Sequence, residues 1–236
     1  MNRSLLMKWL PVFFCTVTFF FFSCNDAEIG GIKDVNPETV WFDHQIGGEE
    51  GSNDMTVMLQ YRFAGENGTT LILDAPSKVE LDGELIKGDS SKMTGAFYEV
   101  IKPLKEFTGS HTITFTDINR KQYREEFNFR PMSLIAEAPK EIKRNDLVFE
   151  LEGLNQQDYV RVLLTDTAFT SEGINRLDTV KNGKIFISKK DLEKVVTGPV
   201  HFELIKEDEK SVKNGTAQGG RLSISYSIKR EFVLTN

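Results

Sequence analysis

The chain has 236 residues, with 29 basic against 35 acidic side chains, three histidines and two cysteines. A net charge of −6 gives no sign of a nucleic-acid partner, which would demand clustered lysine and arginine, and no electrostatic pull toward an anionic membrane. The length suits one large domain or two of about 100 residues.

In chain order, Arg3 and Lys8 supply a positive start, and Leu10 to Phe22 form an apolar run of 13 residues. A membrane-spanning helix needs about 20, so the run fits the core of a secretory signal, with Ser23 as the small residue before cleavage. Phe21-Phe22-Ser23-Cys24 is similar to the lipobox of bacterial lipoproteins. That resemblance implies a signal peptide over residues 1–23, cleavage between Ser23 and Cys24, and acylation of Cys24 with palmitate-type chains. Asn25-Asp26-Ala27-Glu28 resembles the surface-export signal of Bacteroidetes lipoproteins, which implies an outer-membrane anchor with the exterior as the favoured side. Loss of residues 1–23 removes Arg3, Lys8 and Cys15, so the mature chain keeps 27 basic residues, 35 acidic ones and Cys24 alone. It then has no disulfide, thiolate metal site or cysteine nucleophile and must be held by its core.

Residues 24–36 lack periodicity and read as a lipidated tether. Beyond them the pattern has period two, the mark of half-buried strands. Met55, Val57, Leu59, Tyr61 and Phe63 share one face; Val79 and Leu81 precede Leu85 across Asp82-Gly83, a dipeptide suited to a tight hairpin. Ile113 and Phe115 lead through the Asp117-to-Arg120 turn to Tyr123, Phe127 and Phe129, and Pro131 closes the series. Some seven strands with turns every 8–12 residues suit an immunoglobulin-like β-sandwich over residues 37–133, with a small open barrel as the other candidate. Residues 134–142 read as a connector stiffened by Pro139.

A second strand series follows over residues 134–236. Phe149 and Leu151, Tyr159 to Leu164, Lys184 to Ser188 after the Asn182-Gly183 turn, and Val200 to Ile205 each read as strands. Leu222, Ile224, Tyr226 and Ile228 keep one parity; Arg230 interrupts it before Phe232 and Leu234, which predicts a bulge or an edge position. Ser188 to Val196 reads as a short helix with Ser188 as N-cap and Asp191 at the third position. The fold class is therefore all-β, with two tandem sandwiches.

Candidate chemistry is sparse. His44, His111 and His201 have no metal-ligand spacing, and His111 is expected at an exposed strand start. No nucleophile elbow occurs, and the Glu49-Glu50 and Glu125-Glu126 pairs read as solvated charge. Asp117-x-Asn119 lacks the other ligands of a calcium loop, and Asn214 to Gly220 reads as a flexible hairpin connection. No catalytic residue, metal or cofactor is expected, so the chain reads as a non-enzyme. Trp41 stands between Val40 and Phe42 on a strand: if those two face inward it is a platform for stacking on a sugar ring, and otherwise it fills the core. Phe97 and Tyr98 pose the same question, and Tyr98 is carried as a second stacking candidate. Asp166-Thr167-Ala168 and Asp178-Thr179-Val180 resemble the O-glycosylation motif of exported Bacteroidetes proteins, which implies modification at Thr167 and Thr179.

The signal and strand layout together resemble the two-sandwich lipoproteins of Bacteroidetes envelopes. The resemblance implies a membrane partner through Cys24 and a glycan or an envelope protein as ligand. A glycan-binding or interaction module is the leading expectation, an adhesion or assembly component the second, and a glycan-active enzyme the last.

Overall fold

The computed structural model describes residues 28–168 and 171–236; the expected signal, Cys24 and the start of the tether lie outside them. The rest of the expected tether is part of the folded body, because Ile29–Gly31 pairs in parallel with Thr70–Ile72 and Ile32 is fully buried in the core. In chain order the strands are β1 (Ile29–Gly31), β2 (Val40–Glu49), β3 (Asp54–Phe63), β4 (Thr69–Ile72), β5 (Lys78–Leu81) and β6 (Glu84–Leu85). Next come β7 (Gly88–Ser91), β8 (Gly95–Pro103), β9 (Gly109–Thr116), β10 (Gln122–Phe129), β11 (Ser133–Leu134) and β12 (Glu141–Lys143). The rest are β13 (Leu147–Glu152), β14 (Tyr159–Asp166), β15 (Ile174–Thr179), β16 (Lys184–Ile187), β17 (Gly198–Ser211) and β18 (Gly220–Thr235); among the described residues the helical pieces are the α-turn α1 (Lys189–Leu192) and two 3-10 turns, Ile32–Asp34 and Pro37–Thr39.

The fold is all-β and built of stacked open sheets. In the first stack, β4-β3-β2-β18 of the large sheet faces the four-stranded sheet β10-β9-β5-β6. Period-two patterning places Phe42, Tyr61, Phe115 and Tyr123 between them, with Tyr61 and Phe115 stacked at 4.5 Å and Phe42 edge-on to Phe115 at 5.0 Å. In the second stack, β15-β14-β17-β18 faces the small sheet β11-β13-β16, and Phe149 stacks on Phe202 at 4.5 Å. Such aromatic contacts add to the burial of each ring.

The predicted turns take their expected shapes. Asp82 and Gly83 have φ of 52° and 85°, and Asn182 and Gly183 have 51° and 72°, the double positive φ of a type I′ hairpin. Asp117 Oδ1 accepts from the amides of Asn119 and Lys121 at 2.8 Å each, so its side chain shapes the turn. Ser188 and Asp191 form a reciprocal capping box on α1.

One feature departs from the sequence pattern. β17 does not stop near Ile205 but runs to Ser211, and it pairs with β18 without interruption from Gly198↔Leu234 to Ser211↔Arg221. The N-terminal half of β18, Gly220 to Ser227, pairs in parallel with β2, whereas β17 over Val200 to Ile205 pairs with β14. At about 3.3 Å per residue this hairpin is about 50 Å long and belongs to both stacks, bridging the division expected near residue 134. Of the two alternatives at Arg230 the bulge is absent, because the register with β17 is continuous; on its other side β18 pairs with β2 only as far as Ser227 and with β12 only from Val233, so Arg230 stands at a local edge. Arg230 keeps the inward parity of its strand but stands where one core ends and the other begins. There it pairs with Glu50 at 2.5 Å and with Glu137 at 2.7 Å. A charge on the core parity is tolerated at that waist because two carboxylates meet it.

Candidate binding face

The outer face of the large sheet is built by the residues that alternate with the core. On β2 these are Trp41, Asp43, Gln45 and Gly47, and their antiparallel partners on β3 are Arg62, Gln60, Met58 and Thr56. On the other side, Arg221, Ser223 and Ser225 of β18 stand beside Asp43, Gln45 and Gly47. Val40 and Phe42 are buried, so Trp41 points away from the core, as one of the two sequence alternatives required. It is half-buried rather than open.

The loop from Asn214 to Gly220 covers one end of this face, and it is pinned rather than flexible. Thr216 Oγ1 donates to the Val40 carbonyl at 2.6 Å, and the Ala217 amide donates to Glu38 at 3.1 Å. Lys121, Ala217 and Tyr123, in that order of effect, hold the Glu38 carboxyl below its usual range. Gly219, with φ of 84°, lies against the Trp41 ring, where a β-carbon would sit 3.7 Å from the indole.

Beside Trp41 the polar groups are locked in place. Asp43 is only 2 % exposed, a costly place for a carboxylate unless its oxygens are filled. Arg221 meets it through Nε at 2.9 Å and a terminal nitrogen at 3.3 Å, and Gln45 Nε2 approaches both oxygens at 3.2–3.3 Å. The Asp43 hydrogen bond is the largest influence raising the Arg221 pKa. Arg62 donates to Gln60 Oε1 at 2.5 Å, and Gln60 Nε2 donates to the Thr94 and Ala96 carbonyls. Further along, Gln45, Gly47, Thr56, Met58, Ser223 and Ser225 line a shallow hollow of about 220 Å³. The arrangement offers one indole ring, fixed planar donors and acceptors, and a floor of small side chains.

The other sequence candidates lie apart. Tyr98 is a core residue, 5 % exposed, with its hydroxyl accepting from the Leu73 amide at 2.6 Å; its ring is therefore closed to stacking on a ligand. It sits inward because it shares parity with Ala96, while Phe97 alternates outward. His111 is also buried, contrary to its expected exposure. Its nitrogens lie 2.7 Å from Asp82 Oδ2 and 2.8 Å from the Phe107 carbonyl, and its ring stacks on Phe107 at 4.1 Å. Glu125 is not solvated charge either: it points inward at 2 % exposure, and Oε2 accepts from the Lys213 amide at 2.8 Å. Thr167 and Thr179 are both exposed. Thr167 borders a hollow of about 480 Å³ with Lys140, His201, Glu231 and Val233.

Among the described residues, no three histidine, cysteine, aspartate or glutamate side chains group as metal ligands, and no helix is long and apolar enough to cross a membrane.

No family model matches the chain, and no curated protein matches it. Solved structures align over most of its length at low superposition. A DIP-gamma IG1+IG2 structure is 11 % identical and covers 83 % of this chain and 95 % of that one, with a TM-score of 0.23. The tetra-tandem repeat in the extending region of a large adhesion protein is 12 % identical, covering 82 % and 49 %, with a TM-score of 0.25. The Bacteroides ovatus mixed-linkage glucan utilization locus protein SGBP-B, solved with a mixed-linkage heptasaccharide, is 10 % identical, covering 91 % and 67 %, with a TM-score of 0.23. Superposition at this level says nothing about the ligand of this chain.

Proposed function

We propose that this chain is a non-enzymatic binding module, held on the outer membrane through acylated Cys24 and facing the cell exterior, and that its ligand is a glycan taken on the Trp41 face. One observation carries the ligand reading. Trp41 is turned off the core parity of β2, in register with Arg62 of β3 and two residues along the same face from Asp43, which Arg221 holds in place. A flat ring next to immobilised planar hydrogen-bonding groups suits a sugar, which offers an apolar ring face and a rim of hydroxyls. The anchor reading rests on Phe21-Phe22-Ser23-Cys24. O-glycosylation at Thr167 and Thr179 belongs to the same reading and would add mass to the mature protein.

Binding of the purified protein to a panel of polysaccharides, compared with Trp41→Ala, tests the site. At least tenfold weaker binding by a variant with unchanged melting temperature is expected, equivalent to about 1.4 kcal/mol. Equal binding by both proteins would remove Trp41 from the site, and binding to no member of the panel would remove the glycan. Release of Cys24→Ser from the membrane fraction tests the anchor independently.

A second reading, adhesion through a protein partner, is favoured by one feature: Tyr159 and Leu177 remain 56 % and 55 % exposed near the open side of the second stack.

A further inference from the structure

We propose that β15 is a self-pairing edge, through which two copies of this chain join their large sheets across a two-fold axis at Leu177. Among the described residues β15 ends the large sheet and is bonded to β14 alone. The Val180 amide donates to the Asp158 carbonyl at 2.8 Å. Residues 180 and 158 are in register with the pairs Tyr159↔Thr179 and Val160↔Asp178, and antiparallel bonding alternates along a strand. Ile174, Arg176 and Asp178 therefore spend their backbone groups on β14, whereas Asn175, Leu177 and Thr179 aim theirs at the open edge. Among the described residues no side chain or neighbouring backbone meets those groups. Beside them lies an open hollow of about 460 Å³, bordered across the gap by Lys184 and Phe186 of the small sheet.

Exposed edges attract other strands, and inward-pointing charges are a common protection against that. Here Arg176 and Asp178 already pair within the chain at 2.9 Å and Arg176 also meets Asp191 at 2.7 Å, so a partner strand joins an existing charge network, and the order of its own charges decides whether it fits. An antiparallel copy centred on Leu177 sets Arg176 opposite Asp178 of the second chain, and Asp178 opposite its Arg176. The backbone groups of residues 175, 177 and 179 then meet those of 179, 177 and 175, forming six new hydrogen bonds. On the outer face Leu177, 55 % exposed, meets its own copy next to Tyr159. A strand with the reverse charge order would place like charges opposite each other, which destabilises a pair. The occupant that fits is a second copy.

Disulfide trapping tests this, because paired residues across an antiparallel sheet lie near the ~5.5 Å Cα separation a disulfide accepts. The full-length chain carrying Cys15→Ser and Cys24→Ser receives Leu177→Cys, or Val148→Cys as a control of equal exposure on the small sheet. Under a mild oxidant, Leu177→Cys should give covalent dimer at least tenfold faster than Val148→Cys. Adding Thr179→Pro, which removes an outward amide, or Asp178→Lys, which sets an ammonium against Arg176 of the copy as well as against Arg176 of its own chain, should cut that rate severalfold while far-ultraviolet circular dichroism stays unchanged. Two alternative variants guard against a misfolded one. Equal trapping at residues 177 and 148, or trapping indifferent to both added changes, overturns the proposal. Neither result bears on Trp41, so this inference and the glycan reading fail separately.

Discussion

Acidification should weaken the first stack through one side chain, His44. Its ring is 1 % exposed, lies 5.7 Å from Phe42 and 5.9 Å from Tyr61, and neither nitrogen has a hydrogen-bond partner among the described residues. Burial pulls its pKa from 6.5 down to about 4, and the smaller opposing influence of Asp43 does not offset this. Below pH 6.5 the unfolded chain binds a proton at residue 44 that the folded chain refuses. The stability is therefore intact at pH 7, falls as the pH drops from 6.5 to about 4, and levels off below that. At about 1.4 kcal/mol per pKa unit, the loss comes to about 3 kcal/mol, a large share of the 5–15 kcal/mol that typically holds a protein folded. Urea unfolding between pH 7.5 and pH 4 on the native chain and on His44→Leu measures it. Leucine forfeits the ring contacts but strands no hydrogen bond, so the two proteins should agree within about 1 kcal/mol at pH 7. Titrations common to both cancel in the difference, leaving the variant about 3 kcal/mol ahead near pH 4. Parallel curves over that range would refute the buried neutral imidazole as the source of acid sensitivity.

Two other substitutions probe the frame. Arg230→Ala leaves Glu50 and Glu137 facing each other at the waist; it should cost about 1–3 kcal/mol, by analogy with other charged hydrogen bonds, and speed protease cleavage within residues 134–142, as mass spectrometry of the fragments would show. Ser188→Ala breaks the capping box and should cost about 1 kcal/mol in thermal unfolding. Its partner Asp191 has a pKa lowered to about 2, first by the Ser188 hydroxyl and then by Arg176. The native chain should thus lose stability from that carboxylate as the pH falls from 3.8 toward 2, and the Ser188→Ala chain less so.

Much of the local structure was legible in the sequence because it depends on near neighbours. Met55 to Tyr61 alternate as one buried face, Asp82-Gly83 and Asn182-Gly183 accept positive φ, and Ser188 with Asp191 caps a turn of helix; each follows from a handful of adjacent residues. The same parity could have placed His44 inward beside Phe42 and Ile46, and Tyr98 inward beside Ala96.

The sequence by itself determined the all-β class, the period-two faces, the turn positions and the choice that Trp41 and the pair Val40 and Phe42 lie on opposite sides of one strand. Tertiary structure alone decided what Trp41 stands beside. Asp43 and Arg221 are 178 residues apart in the chain, and only the parallel pairing of β2 with β18 brings guanidinium to carboxylate. Likewise Arg230 looked like a break in a strand, because alternation records a residue's side of the sheet and not which core lies beneath it. A continuous hairpin crossing from one core to the next can carry a charge at the waist without losing register, and no pattern within β18 distinguishes that from a bulge.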